Sequence, residues 1–231
     1  MQARDVMTTN VITVAPETTV REVAQCLLER SISAVPVVDA DGKLLGIVSE
    51  GDLMRRSETG TERKPSWWLD MVSSTEDQAR EYVKTHGTRA RDVMTKNLIT
   101  VAEDASLEEI ATVLEKHHIK RVPVVKDGRV VGIVSRANLL RGLIAAQQQT
   151  AVSTPDDRAL REAVIKAIEE TGARAHLVSV MASGGKIQLW GAVDSKAEKD
   201  AIRVAAENVP GVKAVDENLR VFSGASRPSW A

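Results

Sequence analysis

The chain has a single cysteine, Cys26, and only six aromatic residues in 231: four tryptophans, one tyrosine and one phenylalanine. One cysteine excludes an internal disulfide, so packing must hold the fold, as it does in a reducing compartment. The apolar spacing around Cys26 predicts a helix that buries it. Neither sign of charge is in excess. The 31 Lys and Arg against 32 Asp and Glu leave −1, which argues against a strongly basic nucleic-acid binder. Long apolar runs are missing too, none approaching the roughly 20 residues that span a bilayer. Arg4, Asp5, Glu17, Arg21 and Glu22 interrupt any apolar core of a signal peptide near the start. With 43% hydrophobic and 27% charged residues, the composition is that of a globular protein. The expectation is a soluble, cytoplasmic chain.

What is present is a repeat. Arg4-Asp5-Val6-Met7-Thr8 returns as Arg91-Asp92-Val93-Met94-Thr95, Ile12-Thr13-Val14-Ala15 as Ile99-Thr100-Val101-Ala102, and Val35-Pro36-Val37-Val38 as Val122-Pro123-Val124-Val125, each 87 residues on. Gly46-Ile47-Val48-Ser49 then matches Gly132-Ile133-Val134-Ser135 at 86. The lost residue falls where Asp39-Ala40-Asp41-Gly42 shortens to Lys126-Asp127-Gly128, a hairpin tip, where deletion costs a sheet least. Each copy reads β-α-β-β-α. A short strand (Val11–Val14; Leu98–Val101) precedes a helix with capping-box spacing, Thr19 with Glu22 and Ser106 with Glu109. Val20, Val23, Ala24, Leu27 and Leu28 form one apolar stripe; Leu107, Ile110, Ala111 and Leu114 form the other. Two β-branched runs then flank an Asp-Gly turn, a strong hairpin signal, and a short helix follows Ser49 and Ser135. One copy is too small to close a good core, so the two are expected to pack together.

These elements, in order and twice, resemble the CBS domain, and the pair resembles a Bateman module, over roughly residues 1–145. The resemblance implies an α/β (α+β) fold of two repeats, 1–58 and 89–146, packed as a pseudo-twofold pair that commonly associates as a homodimer. It also implies an adenosine nucleotide (AMP, ADP, ATP or a related adenosyl compound) as a regulatory ligand in the cleft of the pair, with no other cofactor required. The residues themselves suit this. Ser49 ends a strand and caps a helix, whose free amides and hydroxyl suit a phosphate, while Asp52, in the first turn, can accept from two ribose hydroxyls. Ser135 and Asn138 repeat the arrangement without the charge. The same residues also serve as plain N-caps, a reading the spacing leaves open. Pro36 and Pro123 stand inside strands, where a missing N–H is normally confined to an edge. By resemblance, the segments around them lie against the adenine with the Thr13 and Thr100 backbones nearby. The expected ligand residues are therefore Thr13, Val35, Pro36, Ile47, Ser49 and Asp52, and Thr100, Lys120, Arg121, Val122, Pro123, Ile133, Ser135, Arg136 and Asn138. Ser33-Ala34 corresponds to Lys120-Arg121 and Glu50 to Arg136, so the second half is expected to hold more phosphate charge and the first the stronger ribose acceptor. His117-His118, about 100° apart on a helix, reads as a helix end and not a metal site.

An insert, 59–88, carries Trp67-Trp68, which pack back on the module or cover a dimer surface, and a helix from Glu76 to Lys84. A polar linker, 147–155, leads to residues 156–223, read as α-β-β-α-β with a mobile tail at 224–231. The helix at 157–171 shows Leu160, Val164, Ile165 and Ile168 on one face; strands at 175–181 and 187–193 follow. A helix at 195–208 is striped by Ala197, Ala201, Val204 and Ala205, and a last strand lies near 212–221. Leu189-Trp190-Gly191-Ala192-Val193 and Val209-Pro210-Gly211-Val212-Lys213-Ala214-Val215, with Asn218-Leu219, resemble a BON domain. That resemblance implies contact with phospholipid or a protein partner. Its 10 basic and 11 acidic side chains offer no polybasic patch, so a protein-contact role is at least as well supported. No nucleophile with a base, Walker loop or metal cluster is legible, and the chain reads as a non-enzyme. The competing reading is a structural or envelope-associated adaptor with no working nucleotide site.

Overall fold

In the computed structural model the described residues are 1–54, 56, 60–61, 75–148 and 154–221. Trp67-Trp68, the middle of the linker and the tail lie outside them. The chain divides into two compact units: Ile12–Leu98, and Met1–Val11 together with the residues from Ile99 onward.

In the Ile12–Leu98 unit, Thr19 Oγ1 accepts from Glu22 N at 3.2 Å while the Glu22 carboxylate accepts from Thr19 N at 2.8 Å. This capping box starts helix α2 (Val20–Arg30), α1 being the single turn Ala3–Val6 of the other unit. Helix α2 lays Val23 and Leu27 on the antiparallel hairpin β1 (Ala34–Val38) and β2 (Leu44–Ser49). Leu28, expected on that stripe, is 77% exposed, because one residue beyond Leu27 turns it about 100° off the buried face. Cys26 is half-buried, not enclosed as expected. The single turn α3 (Glu50–Leu53) follows β2, then α4 (Thr75–His86) and the turn α5 (Ala90–Val93).

The other unit contains α1, β3 (Val101–Ala102), α6 (Leu107–Lys116), β4 (Arg121–Lys126), β5 (Arg129–Ser135) and α7 (Arg136–Gln148). The repeat is visible in its details. Ser31, the C-cap of α2, and His118, one residue beyond the C-cap of α6, share the same left-handed backbone, φ 52°, and both hairpins bulge at equivalent places, Val37/Val38 and Val124/Val125. The lead segments exchange, however. Ala90, Val93 and Met94, which head the second repeat in sequence, join the core of the first; Ala3, Val6 and Met7 join the core of the second. Gly46 and Gly132 permit this, since a Cβ on either would run into the sulfur of Met94 or Met7. Thr95 then pairs with Ile47 and Thr8 with Ile133, using the outward N–H and C=O of each hairpin.

Pro123 does not mark a sheet edge, whereas Pro36 stands on β1 of a two-stranded sheet that Val14 joins only through one bridge to Val37. Strand order is β3-β4-β5, so Pro123 stands in the middle strand, where its missing N–H delays pairing with β3 until Val124. In the first repeat, likewise, the expected strand at 11–14 is reduced to one bridge, Val14 with Val37.

Pro155, at the first position of α8 (Pro155–Glu170), follows the N-cap Thr154. A 3₁₀ turn, Ala175–Leu177, occupies what was expected to be strand, and β6 runs Val178–Ser183. Strand β7 (Lys186–Val193) is antiparallel to β6 and parallel to β8 (Ala214–Val221), which it reaches across α9 (Lys196–Glu207). Gly191 has φ 152°, and a Cβ there would strike the Leu177 carbonyl. In α9 the buried pair is Ile202 and Ala206, with Val204 exposed, so the expected alanine stripe is rotated. Small alanines around the helix left its inner face ambiguous, and the bulky Ile202 decides it. This α-β-β-α-β portion docks on α1: Met181 joins the core around Val6 and Met7, and Arg158 Nε reaches Asp5 Oδ1 at 3.0 Å.

Candidate functional site

Each hairpin ends on the serine that the repeat marks. Ser49 N and its hydroxyl both donate to Asp52 Oδ2, at 2.9 and 2.6 Å. The second carboxylate oxygen, Oδ1, accepts from the Thr95 hydroxyl at 3.4 Å and meets Lys84 Nζ at 3.3 Å. One oxygen is thus anchored by its own turn, and the other faces longer, exchangeable partners. The equivalent turn in the second repeat is spent differently. Ser135 N and hydroxyl donate to Asn138 Oδ1 at 2.9 and 2.6 Å, but Asn138 Nδ2 donates to the Val6 carbonyl at 2.7 Å. Asn138 is 3% exposed and braces the lead segment.

The other expected ligand residues fall around these turns. In the first repeat Pro36 pairs with Ile47 and Val35 with Val48; Val35 and Pro36 are buried, Ile47 half-buried and Thr13 exposed. In the second, Pro123 pairs with Ile133, Val122 with Val134 and Arg121 with Ser135. Val122 and Pro123 are buried, Arg121 and Ile133 half-buried, and Thr100, Lys120 and Arg136 exposed. Arg136 N donates to the Lys120 carbonyl at 3.2 Å, which brings those two residues together at the end of the hairpin. Because α3 is one turn long, its dipole contributes little to holding a phosphate.

Two neighbours of Asp52 escaped sequence reading. Thr95 belongs to a motif visible in the sequence but assigned there to the repeat it precedes. Lys84 sits in the insert, which has no internal counterpart to compare with. Arg161 was missed as well. It is 5% exposed, with Nε donating to Val180 O at 2.8 Å and Nη2 to Met7 O at 2.6 Å, and burial lowers its pKa to about 10 against the opposing pull of Asp5 and Glu162. In sequence it was one more cation on an amphipathic helix.

The two hairpins, one ending on a serine-carboxylate turn and the other on a serine-amide turn, define a two-repeat α/β fold. The CBS-domain model matches residues 3–59 and 90–145, and the BON-domain model matches residues 156–221. The chain belongs to the tandem CBS-domain proteins and carries a C-terminal BON domain. It is 31% identical over 153 residues to the chloroplastic CBS domain-containing protein CBSX2 of Arabidopsis thaliana, covering 63% of each chain. It is 30% identical over 141 residues to hypoxic response protein 1 of Mycobacterium tuberculosis, covering 61% of this chain and 84% of that one. The chain spans 63% and 58% of the lengths of CBSX2 and its relative CBSX1. The crystal structure of CBSX2 in complex with AMP superposes with a TM-score of 0.55 and 29% identity, covering 63% of this chain and 98% of that one. Among the described residues, no helix is long and apolar enough to cross a membrane.

Proposed function

We propose that this protein is a non-catalytic regulatory protein that binds an adenosine nucleotide at its CBS repeats and passes occupancy to its BON domain. The observation that carries the reading is Asp52: a carboxylate with one oxygen anchored by Ser49 and the other offered to exchangeable partners is the acceptor a ribose diol needs. The AMP complex of CBSX2 supports adenosine as the ligand class. Transmission is supported by adjacent carbonyls in the lead segment. Val6 O accepts from Asn138 of the second-repeat turn, and Met7 O accepts from Arg161 of the BON domain. A ligand that displaces the Ser135–Asn138 turn would therefore shift a segment the BON domain grips, provided it binds the two arrangements with different affinity.

Exposed Leu140, Leu143 and Ile144 on α7 support a homodimer formed through the CBS repeats. A protein partner for the BON domain is better supported than phospholipid. Four of its ten cations, Arg174, Lys186, Lys199 and Arg203, lie against Asp194, Asp216, Glu217 and Glu207, which lowers the positive charge it offers an anionic surface. We assign the protein to a reducing cytoplasm, where its single thiol survives. A thermal-shift screen with AMP, ADP, ATP and S-adenosylmethionine tests the reading. A ligand at 100 times its dissociation constant should add about 2.7 kcal/mol of stability, and no shift with any of them would overturn it.

A further inference from the structure

Lys84 has no equivalent in the repeat. It stands in the last turn of α4, and that turn is fixed: buried Arg56 donates to the Lys84 carbonyl at 3.0 Å and to the Gly87 carbonyl at 2.7 Å. The backbone of Lys84 is held, while its half-exposed side chain reaches 3.3 Å from Asp52 Oδ1. Thr95, the other partner of that oxygen, lines an open pocket of about 700 Å³ together with Lys84, and Arg80 and Lys96 also face this pocket. Glu76 and Asp92 line it too, but Glu76 is paired with Arg80 and Asp92 accepts from Arg89 N at 3.2 Å. The first repeat lacks cations at the positions of Lys120, Arg121 and Arg136, and α3 is a single turn. Among the described residues, the cation that meets Asp52 is Lys84, which lies outside the repeat.

We propose that Lys84 is the phosphate arm of the first-repeat site. Without ligand its ammonium occupies Asp52 Oδ1; when a ribose diol takes that oxygen, the ammonium turns to the phosphate of the nucleotide. This rests on the nucleotide reading above and extends it: the first repeat selects phosphorylated adenosine over the bare nucleoside, through a residue that belongs to the insert. A lysine ammonium suits such an exchange, being a compact charge with three donors on a flexible four-carbon stem.

Calorimetric titration of the full chain with AMP and with adenosine, on wild type, Lys84→Met and Lys84→Arg, tests it. Wild type should prefer AMP. Lys84→Met should lose about ten-fold in AMP affinity, the order expected for one charge-assisted bond at a part-exposed site, and keep or gain adenosine affinity because its rival for Asp52 is gone. Lys84→Arg should retain the preference for AMP. Equal changes for the two ligands, or no change for either, would overturn the arm while leaving nucleotide binding intact. Failure of wild type to bind either ligand would overturn both readings.

Discussion

Replacing Arg161 by methionine keeps most of the buried volume and removes two hydrogen bonds, those to the Val180 and Met7 carbonyls. Holding the guanidinium charged at 5% exposure is costly. Burial pulls its pKa well below the usual guanidinium value, to about 10, which at about 1.4 kcal/mol per unit is roughly 3 kcal/mol. Two charge-assisted bonds of about 1.5–3 kcal/mol each offset that cost. Arg161→Met relieves that cost but strands two carbonyls, at about 1–3 kcal/mol apiece, so a net destabilisation of up to about 3 kcal/mol is expected. A base whose folded pKa is lowered sheds its penalty only as pH rises past that value, so the loss should be flat from about pH 5 to 9. Urea unfolding measures the size, and amide hydrogen exchange locates it. Thr8, whose N–H pairs with Ile133 O at 3.0 Å, should exchange faster because the lead segment has lost its grip. Arg161→Lys should fall between, since one ammonium does not reproduce the two-pronged reach. An unchanged urea midpoint together with unchanged exchange at Thr8 would refute the reasoning.

Other outcomes follow from the same contacts. Asp52→Ala should weaken AMP binding more than Asn138→Ala in calorimetry, while Asn138→Ala should be the more destabilising in urea, by about 1–3 kcal/mol, because it leaves the buried Val6 carbonyl unpaired. Gly132→Ala should cost about 1–3 kcal/mol by driving a methyl group into Met7, and Met7→Ala in the same chain should recover part of it. Burial pushes the Asp157 carboxyl up, but the Thr154 backbone and hydroxyl donors and the Gly185 and Gly184 amides outweigh it and hold it below 3.8. A lowered acid stabilises above its unfolded value and loses that stability as pH falls through the folded one. Asp157→Asn should therefore be less stable than wild type at neutral pH, with the gap closing in thermal melts below about pH 4.

Much of this was legible because local chemistry repeats. The Thr19–Glu22 cap, both hairpins with their Asp-Gly turns, and the serine turns at Ser49 and Ser135 could each be read from a few adjacent residues, and tertiary packing agrees with them. What was not legible depends on distance along the chain. Nothing in Arg91-Asp92-Val93-Met94-Thr95 says which hairpin it will join; the answer lies in the space left by Gly46, some 45 residues earlier in the sequence. Asp52 and Asn138 occupy equivalent positions, yet only the fold shows that one meets Lys84 and the other the Val6 carbonyl. The alanines of α9 and the exposed Leu28 show the limit of periodicity where apolar residues are small or too many for one face.

The central claim, a nucleotide site built on the Ser49–Asp52 turn, is tested most directly by titrating AMP into the full chain and into its Asp52→Ala variant by calorimetry. Saturable binding to wild type is expected, with a loss of at least ten-fold in the variant, about 1.4 kcal/mol. Indistinguishable isotherms, or no heat from wild type at millimolar AMP, would contradict it.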